Sequence, residues 1–237
     1  MEEKFFTYSF YKDLIHQIKR NDYTITDYFD NCDKKRCILR HDIDFSIEKS
    51  LTFAKLEHEL GVKSTYFVLL KTNFYNPLSK ESISMLKEII SLGHDIGLHF
   101  DEKSYDENDN LVSKIVEEAK ILSNQLNYEL KVVSMHRPST KSIDADFQIP
   151  NMVNSYSKYF FKSFKYISDS RKNWKENPFE IVESGKYNHL HILTHAFWYH
   201  DEETTIKSDI VSFINKSQDE RIVFLKDNLR DFDDILK

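Results

Sequence analysis

The feature that most constrains the fold is a regular alternation of short apolar runs with longer amphipathic segments. The runs read as buried strands and lie at residues 37–39, 64–70, 95–98, 132–135, 166–167, 189–193 and 221–225. Between them, apolar residues recur at steps of three and four, most clearly over residues 111–126. Strands that alternate with helices indicate a parallel sheet with crossover helices, so we predict an α/β fold that closes, or nearly closes, as a barrel.

Capping residues and glycines mark the ends of the predicted helices. One helix begins near Ser46 and stops at Gly61, and the next begins after Ser79 and stops at Gly93. A further helix over 208–217 separates the last two predicted strands. The 237 residues contain no linker and no internal repeat, which favours a single domain over 1–237.

Composition limits the class of partner. The net charge is −6 with both signs mixed along the chain, so there is no basic footprint for nucleic acid. The chain offers neither a secretory leader nor a run of apolar residues long enough to span a membrane, and we expect a cytoplasmic protein with a small or neutral partner. Cys32 and Cys37 lack metal-type spacing and are expected to be inert packing or surface residues.

Ionisable residues follow the predicted strands at their carboxyl ends. These residues are Arg40, His41, Asp42, Asp44, His99, Asp101, His136, Arg137, Asp169, Arg171 and His195. In a parallel barrel the carboxyl ends of the strands converge on one face, which is where such folds build active sites. Carboxylates, imidazoles and guanidinium groups gathered there suit a divalent metal with acid and base helpers.

The motifs themselves resemble a known family. The segments RHDID, GHDIGLH, HRPS, DSRxxW and LTHxFWY are similar to the five ordered motifs of the polysaccharide deacetylases, which are carbohydrate esterase family 4 or the NodB-homology group. The resemblance covers residues 39–199 and is strongest to an intracellular branch associated with surface-glycan genes. It implies a distorted (β/α) barrel of about seven parallel strands and a metal-dependent hydrolysis of N-acetyl groups from amino sugars, most simply with zinc.

The resemblance also implies roles for individual residues. Asp42 would be the general base, Asp44 and His99 would be metal ligands, and His195 would be the general acid. Each of these residues also has a purely structural alternative. Either aspartate could cap the following helix, and either histidine could be a core residue that forms hydrogen bonds to the backbone.

The resemblance also implies supporting roles for three further residues. Arg137 would pair with the base and orient it, while Asp169 and Arg171 would belong to a supporting network. His136 and Arg137 could instead form a surface hydrogen-bond pair.

One position departs from the family pattern, because Lys103 stands where the second ligand histidine is expected. The third ligand is then either His136, which we favour, or Asp101. If neither serves, metal binding is weakened or lost, and the protein would be an altered relative that binds carbohydrate without hydrolysing it.

Aromatic residues near the last motif are candidates for substrate contact. Trp174, Phe197, Trp198 and Tyr199 could present a flat apolar wall to a sugar ring, although the same cluster could be part of the core.

Overall fold

The structure, a computed structural model, describes residues 5–30 and 35–235 of the chain. Its strands are β1 (Thr24–Thr26), β2 (Arg36–Ile43), β3 (Thr65–Leu69), β4 (Asp95–Asp101), β5 (Val132–His136), β6 (Val153–Asn154), β7 (Lys165–Ser168) and β8 (His189–Thr194). All their pairings are parallel, and seven strands follow one another in the order β6-β5-β4-β3-β2-β8-β7. The predicted α/β fold with about seven parallel strands is confirmed as a curled half-barrel.

The eighth strand, β1, pairs with the same edge of β2 as β3 does. Thr24–Thr26 pair with the first residues of β2, and β3 pairs with the last four, from Arg40 to Ile43. The other edge of β2 is occupied by β8. Strand β2 therefore has neighbours on both edges, which explains why all eight of its residues are buried.

Helices surround the sheet. They are α1 (Tyr8–Arg20), α2 (Ile47–Glu59), α3 (Lys80–Ser91), α4 (Leu111–Leu126), α5 (Thr140–Ala145), α6 (Lys158–Ser163), α7 (Pro178–Glu183), α8 (Ile206–Asn228) and α9 (Phe232–Ile235). The predicted caps at Ser46 and Ser79 are confirmed, because each side chain accepts a hydrogen bond from the first turn of its helix. Asp42 and Asp44 therefore do not cap α2.

The predicted strand at 221–225 is wrong. These residues belong to α8, which also contains the shorter helix predicted over 208–217. Asp209 is the single buried residue of this helix, and the apolar side chains of its second half are exposed. An apolar run of this length fits a strand or a helix equally well, and the strong helix formers on both sides of it decide in favour of the helix.

The core has an outer and an inner part. Two outer clusters fill the space between the sheet and helices α1, α2, α3, α4 and α7. The inner cluster lies inside the half-barrel and consists of Tyr28, Ile38, Phe67, Val132, Phe160 and Phe164. Cys37 is buried in an outer cluster, and Cys32 lies outside the described residues.

Close packing inside the half-barrel requires glycine at position 97 of β4. A Cβ atom added there would lie 2.5 Å from the Phe67 ring and 3.0 Å from the carbonyl oxygen of Val132. The missing side chain lets the Phe67 ring pack against the strand. Among the described residues, no helix is both long and apolar enough to cross a bilayer.

Candidate metal centre

The polar strand ends predicted from the sequence converge on one large cavity. It has a volume of about 1160 Å³, and Asp42, Asp44, His99, His136 and His195 are among the residues that line it. Side chains alternate between the two faces of a strand, which places Arg40 and Asp42 on the inner face of β2 and His41 on the outer face. The strands β2, β4, β5 and β8 thus each deliver at least one ionisable group to the same space.

Three of these residues form a triangle of potential ligand atoms. Oδ1 of Asp44 lies 3.3 Å from Nε2 of His99 and 3.3 Å from Nδ1 of His136, and the two ring nitrogens are 3.0 Å apart. Zinc bonds to nitrogen or oxygen of about 2.0–2.1 Å, arranged tetrahedrally, separate neighbouring ligand atoms by about 3.3 Å. The triangle therefore has the dimensions of one face of a tetrahedral metal site.

The chemistry of this donor set also fits a cation. Oδ1 of Asp44 is buried and makes no well-directed hydrogen bond among the described residues, so its lone pairs have no donor. Burial by itself raises the pKa of Asp44, but His136, His99 and His195 outweigh it and hold the pKa well below its ordinary value. A cation at the centre of the triangle would satisfy the carboxylate and both imidazole lone pairs at once.

The structure also shows where Lys103, at the departing family position, and Asp101, the alternative third ligand, lie. Lys103 is exposed, outside the residues that line the cavity, in a short 3₁₀ turn (Glu102–Ser104). Asp101 accepts a hydrogen bond from Arg137 at 2.5 Å and another from the backbone N–H of Lys103. Of the two alternatives for a third ligand, His136 is the one that lies with Asp44 and His99.

The arginine that pairs with Asp42 is Arg40, which corrects the expectation for Arg137. Nε and one terminal nitrogen of Arg40 donate to the two oxygens of Asp42 at 2.8 and 2.7 Å. The guanidinium is fully buried between the rings of Phe67 and Tyr156, with centroid distances of 5.2 and 4.9 Å. Burial raises the pKa of Asp42, but Arg40 and then His99 bring it below its ordinary value.

A sequence signal for Arg40 exists. Residues two apart on a strand share a face, so an arginine two residues before a carboxylate on a buried strand is placed to pair with it. Arg137, in contrast, has a φ of 48° and an exposed side chain directed to Asp101. The positive φ turns the chain just after β5, which removes Arg137 from the line of the strand.

His195 is held by Asp169. Nδ1 of His195 lies 2.6 Å from Oδ1 of Asp169, and the backbone N–H of His195 donates to the other oxygen at 3.0 Å. Burial lowers the pKa of His195, but the charge and hydrogen bond of Asp169, with Asp44 and Asp42, raise it to about 9. Arg171, expected in the same network, forms no ion pair with these residues and lines the cavity.

The structure does not bring the predicted sugar platform to this cavity. Trp198 and Tyr199 are buried in an outer core cluster, and Trp174 and Phe197 pack at its edge. None of these residues lines the cavity, whose aromatic lining consists of Phe45, Phe74 and Tyr156. The sequence pattern did not single out Phe45 and Phe74, because they follow different strands and belong to none of the motifs. Tyr156 begins a segment that the sequence suggested as part of the pocket rim.

His41 has a structural partner behind the site. Its Nε2 donates to Glu57 of α2 at 2.9 Å, and its Nδ1 lies 2.6 Å from the hydroxyl of Thr194 at the end of β8. The same glutamate accepts hydrogen bonds from Tyr11, Ser64 and Tyr66 at 2.5, 2.5 and 2.7 Å. This fully buried network ties α2 to the ends of β2 and β8, directly behind Asp42 and His195.

Fold and site together define a parallel α/β half-barrel with a candidate Asp-His-His metal centre at the carboxyl ends of its strands. No protein-family model matches the sequence, and no curated protein matches it significantly. The structure is similar to a number of solved structures. One is the Xyl-CE4 domain of a multidomain xylanase from the hindgut metagenome of Trinervitermes trinervoides, with 13% identity, coverage of 79% of this chain and 85% of that chain, and a TM-score of 0.46.

Two similar structures come from Bacillus anthracis. A family 4 carbohydrate esterase is 16% identical, with 87% of this chain and 86% of that chain covered and a TM-score of 0.47. A CE4 family pseudoenzyme is 12% identical, with 80% of this chain and 63% of that chain covered and a TM-score of 0.46. At 12–16% identity and TM-scores below 0.5, these similarities assign no chemistry to this chain.

Proposed function

We propose that this protein is a metal-dependent hydrolase that removes the N-acetyl group from an amino sugar or a glycan precursor. The observation that carries the proposal is the triangle of ligand atoms from Asp44, His99 and His136, flanked by a carboxylate and an imidazole. These residues would hold a divalent cation, most simply zinc. When bound, such a cation would acidify a water molecule and polarise the acetamide oxygen.

Asp42 is placed to take the proton of the attacking water. Its Oδ2 lies 3.5 Å from Nε2 of His99, so the carboxylate borders the triangle without belonging to it. Arg40 fixes the plane of this carboxylate through two hydrogen bonds and keeps it ionised. A carboxylate with a low pKa can act as the base here only because the water to be deprotonated is itself acidified.

His195 is placed to protonate the leaving amine. Because a carboxylate only accepts hydrogen bonds, Nδ1 of His195 must carry the proton that bonds to Asp169. Its Nε2 is directed toward the triangle, 3.7 Å from Oδ2 of Asp44. A protonated Nε2 can then donate its proton to the amine nitrogen as the C–N bond breaks. This donation is needed because the nitrogen is a very poor leaving group without a proton.

The cavity has room and polarity for a sugar. Its volume of about 1160 Å³ is above the range of about 300–1,000 Å³ typical for small-ligand sites. Phe45 and Phe74 offer apolar surface on one side, with ring centroids 4.9 Å apart, and Tyr156 lies on the wall beside Arg40. An apolar ring face and several hydroxyl groups can both be accommodated in such a space.

The metal is tested by loading the purified protein with zinc, removing the excess and measuring bound metal by mass spectrometry. We expect about one zinc per chain in the wild type and a loss of most of it in Asp44→Ala and His136→Ala. Lys103→Ala is the matched control, because this exposed residue occupies the family's ligand position and should not affect metal content. Full zinc retention in His136→Ala would overturn the assigned triad.

Activity is tested by acetate release from a panel of N-acetylated amino sugars with the zinc-loaded protein. We expect release by the wild type and none above background by Asp42→Asn, which should still bind zinc. A stoichiometric zinc protein that releases no acetate from any member of the panel, yet binds these sugars, would instead support the alternative function of a carbohydrate-binding relative.

A further inference from the structure

Four cationic side chains line the cavity around the metal triangle. Lys71 follows β3, Arg137 follows β5, and Arg171 and Lys175 follow β7, so three different loops contribute them. The chain as a whole carries a net charge of −6, which makes this local excess of positive charge stand out. Among the described residues, Asp101 is the one acidic residue besides Asp42 and Asp44 that lines the cavity.

Two of the four cations already have protein partners. Arg137 donates to Asp101 at 2.5 Å, and the ammonium of Lys71 lies 3.7 Å from the centroid of the Tyr105 ring. Arg171 and Lys175 form no ion pair or hydrogen bond within residues 5–30 and 35–235. They are therefore the pair of cations that is free to bind a ligand.

The loop that carries Arg171 is held in an uncommon backbone conformation. Arg171 and Lys172 have φ values of 61° and 53°, both in the left-handed region that non-glycine residues rarely adopt. The buried ammonium of Lys172 fixes this turn from behind, through Asp209 and the carbonyl oxygen of Thr204, each at 2.7 Å. The anchored turn places Arg171 and Lys172 on opposite sides, with Arg171 at the cavity and Lys172 in the protein.

We propose that the substrate of this site is an N-acetylated amino sugar that carries a phosphate group, and that Arg171 and Lys175 bind the phosphate. This inference rests on the proposed deacetylation and names its substrate class. The guanidinium of arginine matches the geometry of two phosphate oxygens, and a lysine of the same loop supplies a compact second charge. Ser170 and Asn173 of the same loop also line the cavity and add polar groups suited to the remaining phosphate oxygens.

The volume and the position of the cations fit a substituted sugar rather than a bare one. The β7 loop carries Arg171, and His195 directly follows the neighbouring strand β8; both residues line the same cavity. A phosphate bound at Arg171 would therefore share this cavity with the sugar that presents its acetamide to His195. This arrangement applies equally to a free sugar phosphate and to a nucleoside diphosphate sugar, because both carry phosphate oxygens next to the sugar ring.

The test compares matched substrates with the zinc-loaded full chain. N-acetylglucosamine 1-phosphate, UDP-N-acetylglucosamine and the neutral methyl glycoside of N-acetylglucosamine are assayed for acetate release. We expect kcat/KM to be about tenfold or more higher for one or both phosphorylated compounds than for the neutral glycoside. The phosphorylated compound with the higher value identifies the source of the phosphate, and equal values for all three would overturn the inference.

Substitutions assign the preference to the two residues. In Arg171→Gln and Lys175→Gln, the ratio of kcat/KM between phosphorylated and neutral substrates should fall toward one, mainly through KM of the phosphorylated compound. Lys120→Gln, an exposed lysine of α4 away from the cavity, is the matched control and should keep the wild-type ratio. An unchanged ratio in both cavity variants would rule out their role.

A binding measurement separates this inference from the proposed reaction. If no compound is deacetylated, binding of N-acetylglucosamine 1-phosphate and of its neutral glycoside is measured by calorimetry with wild type, Arg171→Gln and Lys175→Gln. Tighter binding of the phosphorylated compound that is lost in the two variants would support the phosphate site while the proposed hydrolysis fails. Equal affinities for both compounds would overturn the phosphate site itself.

Discussion

Both oxygens of Asp169 bind the same residue, because one accepts from Nδ1 of His195 at 2.6 Å and the other from its backbone N–H at 3.0 Å. This double contact fixes the ring and its tautomer, and leaves Nε2 directed toward Asp44. One nitrogen of the ring is thus used for orientation, and the other is left available for the proposed proton transfer.

We expect Asp169→Asn to separate these two roles. The amide lacks the charge that raises the pKa of His195, so in metal-free protein this pKa, about 9 in the wild type, should fall to its ordinary value or below. NMR titration of the ring measures it. With zinc bound, acetate release should fall about 10²–10⁴-fold, mainly in kcat.

Asp144→Asn serves as the control for Asp169→Asn, because Asp144 is exposed on α5 and away from the cavity. It should change neither the pKa of His195 nor kcat. An unaltered titration of His195 in Asp169→Asn would contradict the assigned orientation.

Removing one member of the buried Arg40–Asp42 pair should lower the free energy of unfolding much more than replacing both members with apolar residues. Arg40→Met leaves a buried carboxylate without its partner, and we expect the free energy of unfolding to fall by about 3–5 kcal/mol. The double variant Arg40→Met/Asp42→Leu removes both charges and should recover most of this loss, while acetate release stays absent.

Urea unfolding of the two variants and the wild type measures the effect. If the double variant is as unstable as the single one, the loss comes from packing of the arginine between Phe67 and Tyr156 rather than from the unpaired charge.

The sequence predicted the sheet well because each inner strand is a short apolar run bounded by polar residues. The same reasoning placed Asp44, His99 and His136 at strand ends that the structure brings together. It missed the helix α1. It also missed the strands β1 and β6, which have only three and two residues and are too short to show a period. Strand ends converge by topology, so their residues can be predicted without knowing the loops.

The parts that could not be predicted depend on backbone direction after the strands. Arg137 follows β5 as the resemblance requires, yet its left-handed φ sends the side chain to Asp101. Trp198 and Tyr199 follow β8 directly, but they turn into the core cluster that α1 and α2 complete. A pattern of residue types contains no information on such turns.

Gly97→Ala tests the inner packing of the half-barrel. The added methyl group would meet the Phe67 ring, so we expect a loss of about 1–3 kcal/mol in the free energy of unfolding. Combining it with Phe67→Leu should give a smaller loss than the sum of the two single variants, since the smaller side chain relieves the contact. Strict additivity in thermal or urea unfolding would argue against the close approach.

Glu57 should make stability depend on pH in the acid range. Burial raises its pKa, but His41, His94 and Ser64 outweigh burial and lower it from 4.5 to about 2. A carboxylate with a lowered folded pKa contributes stability that is full above about pH 4.5 and is lost as the pH falls toward about 2. The contribution is on the order of 3 kcal/mol.

The measurement is the free energy of unfolding between pH 7 and pH 2 for the wild type and for Glu57→Gln. The variant should be less stable at neutral pH, and the difference between the two proteins should shrink as the pH falls. A difference that stays constant over this range would show that the carboxylate charge contributes nothing.

Because the second half of α8 is exposed, its backbone hydrogen bonds should open often. Asp209 ties the first turns to Lys172 and His200, but beyond residue 217 no side chain of this helix is buried. Isolated helical turns are marginal in water, so in the chain alone the amide protons of 218–228 should exchange with deuterium far sooner than those of 209–216. Slow exchange over 218–228 would mean that these turns are covered in solution.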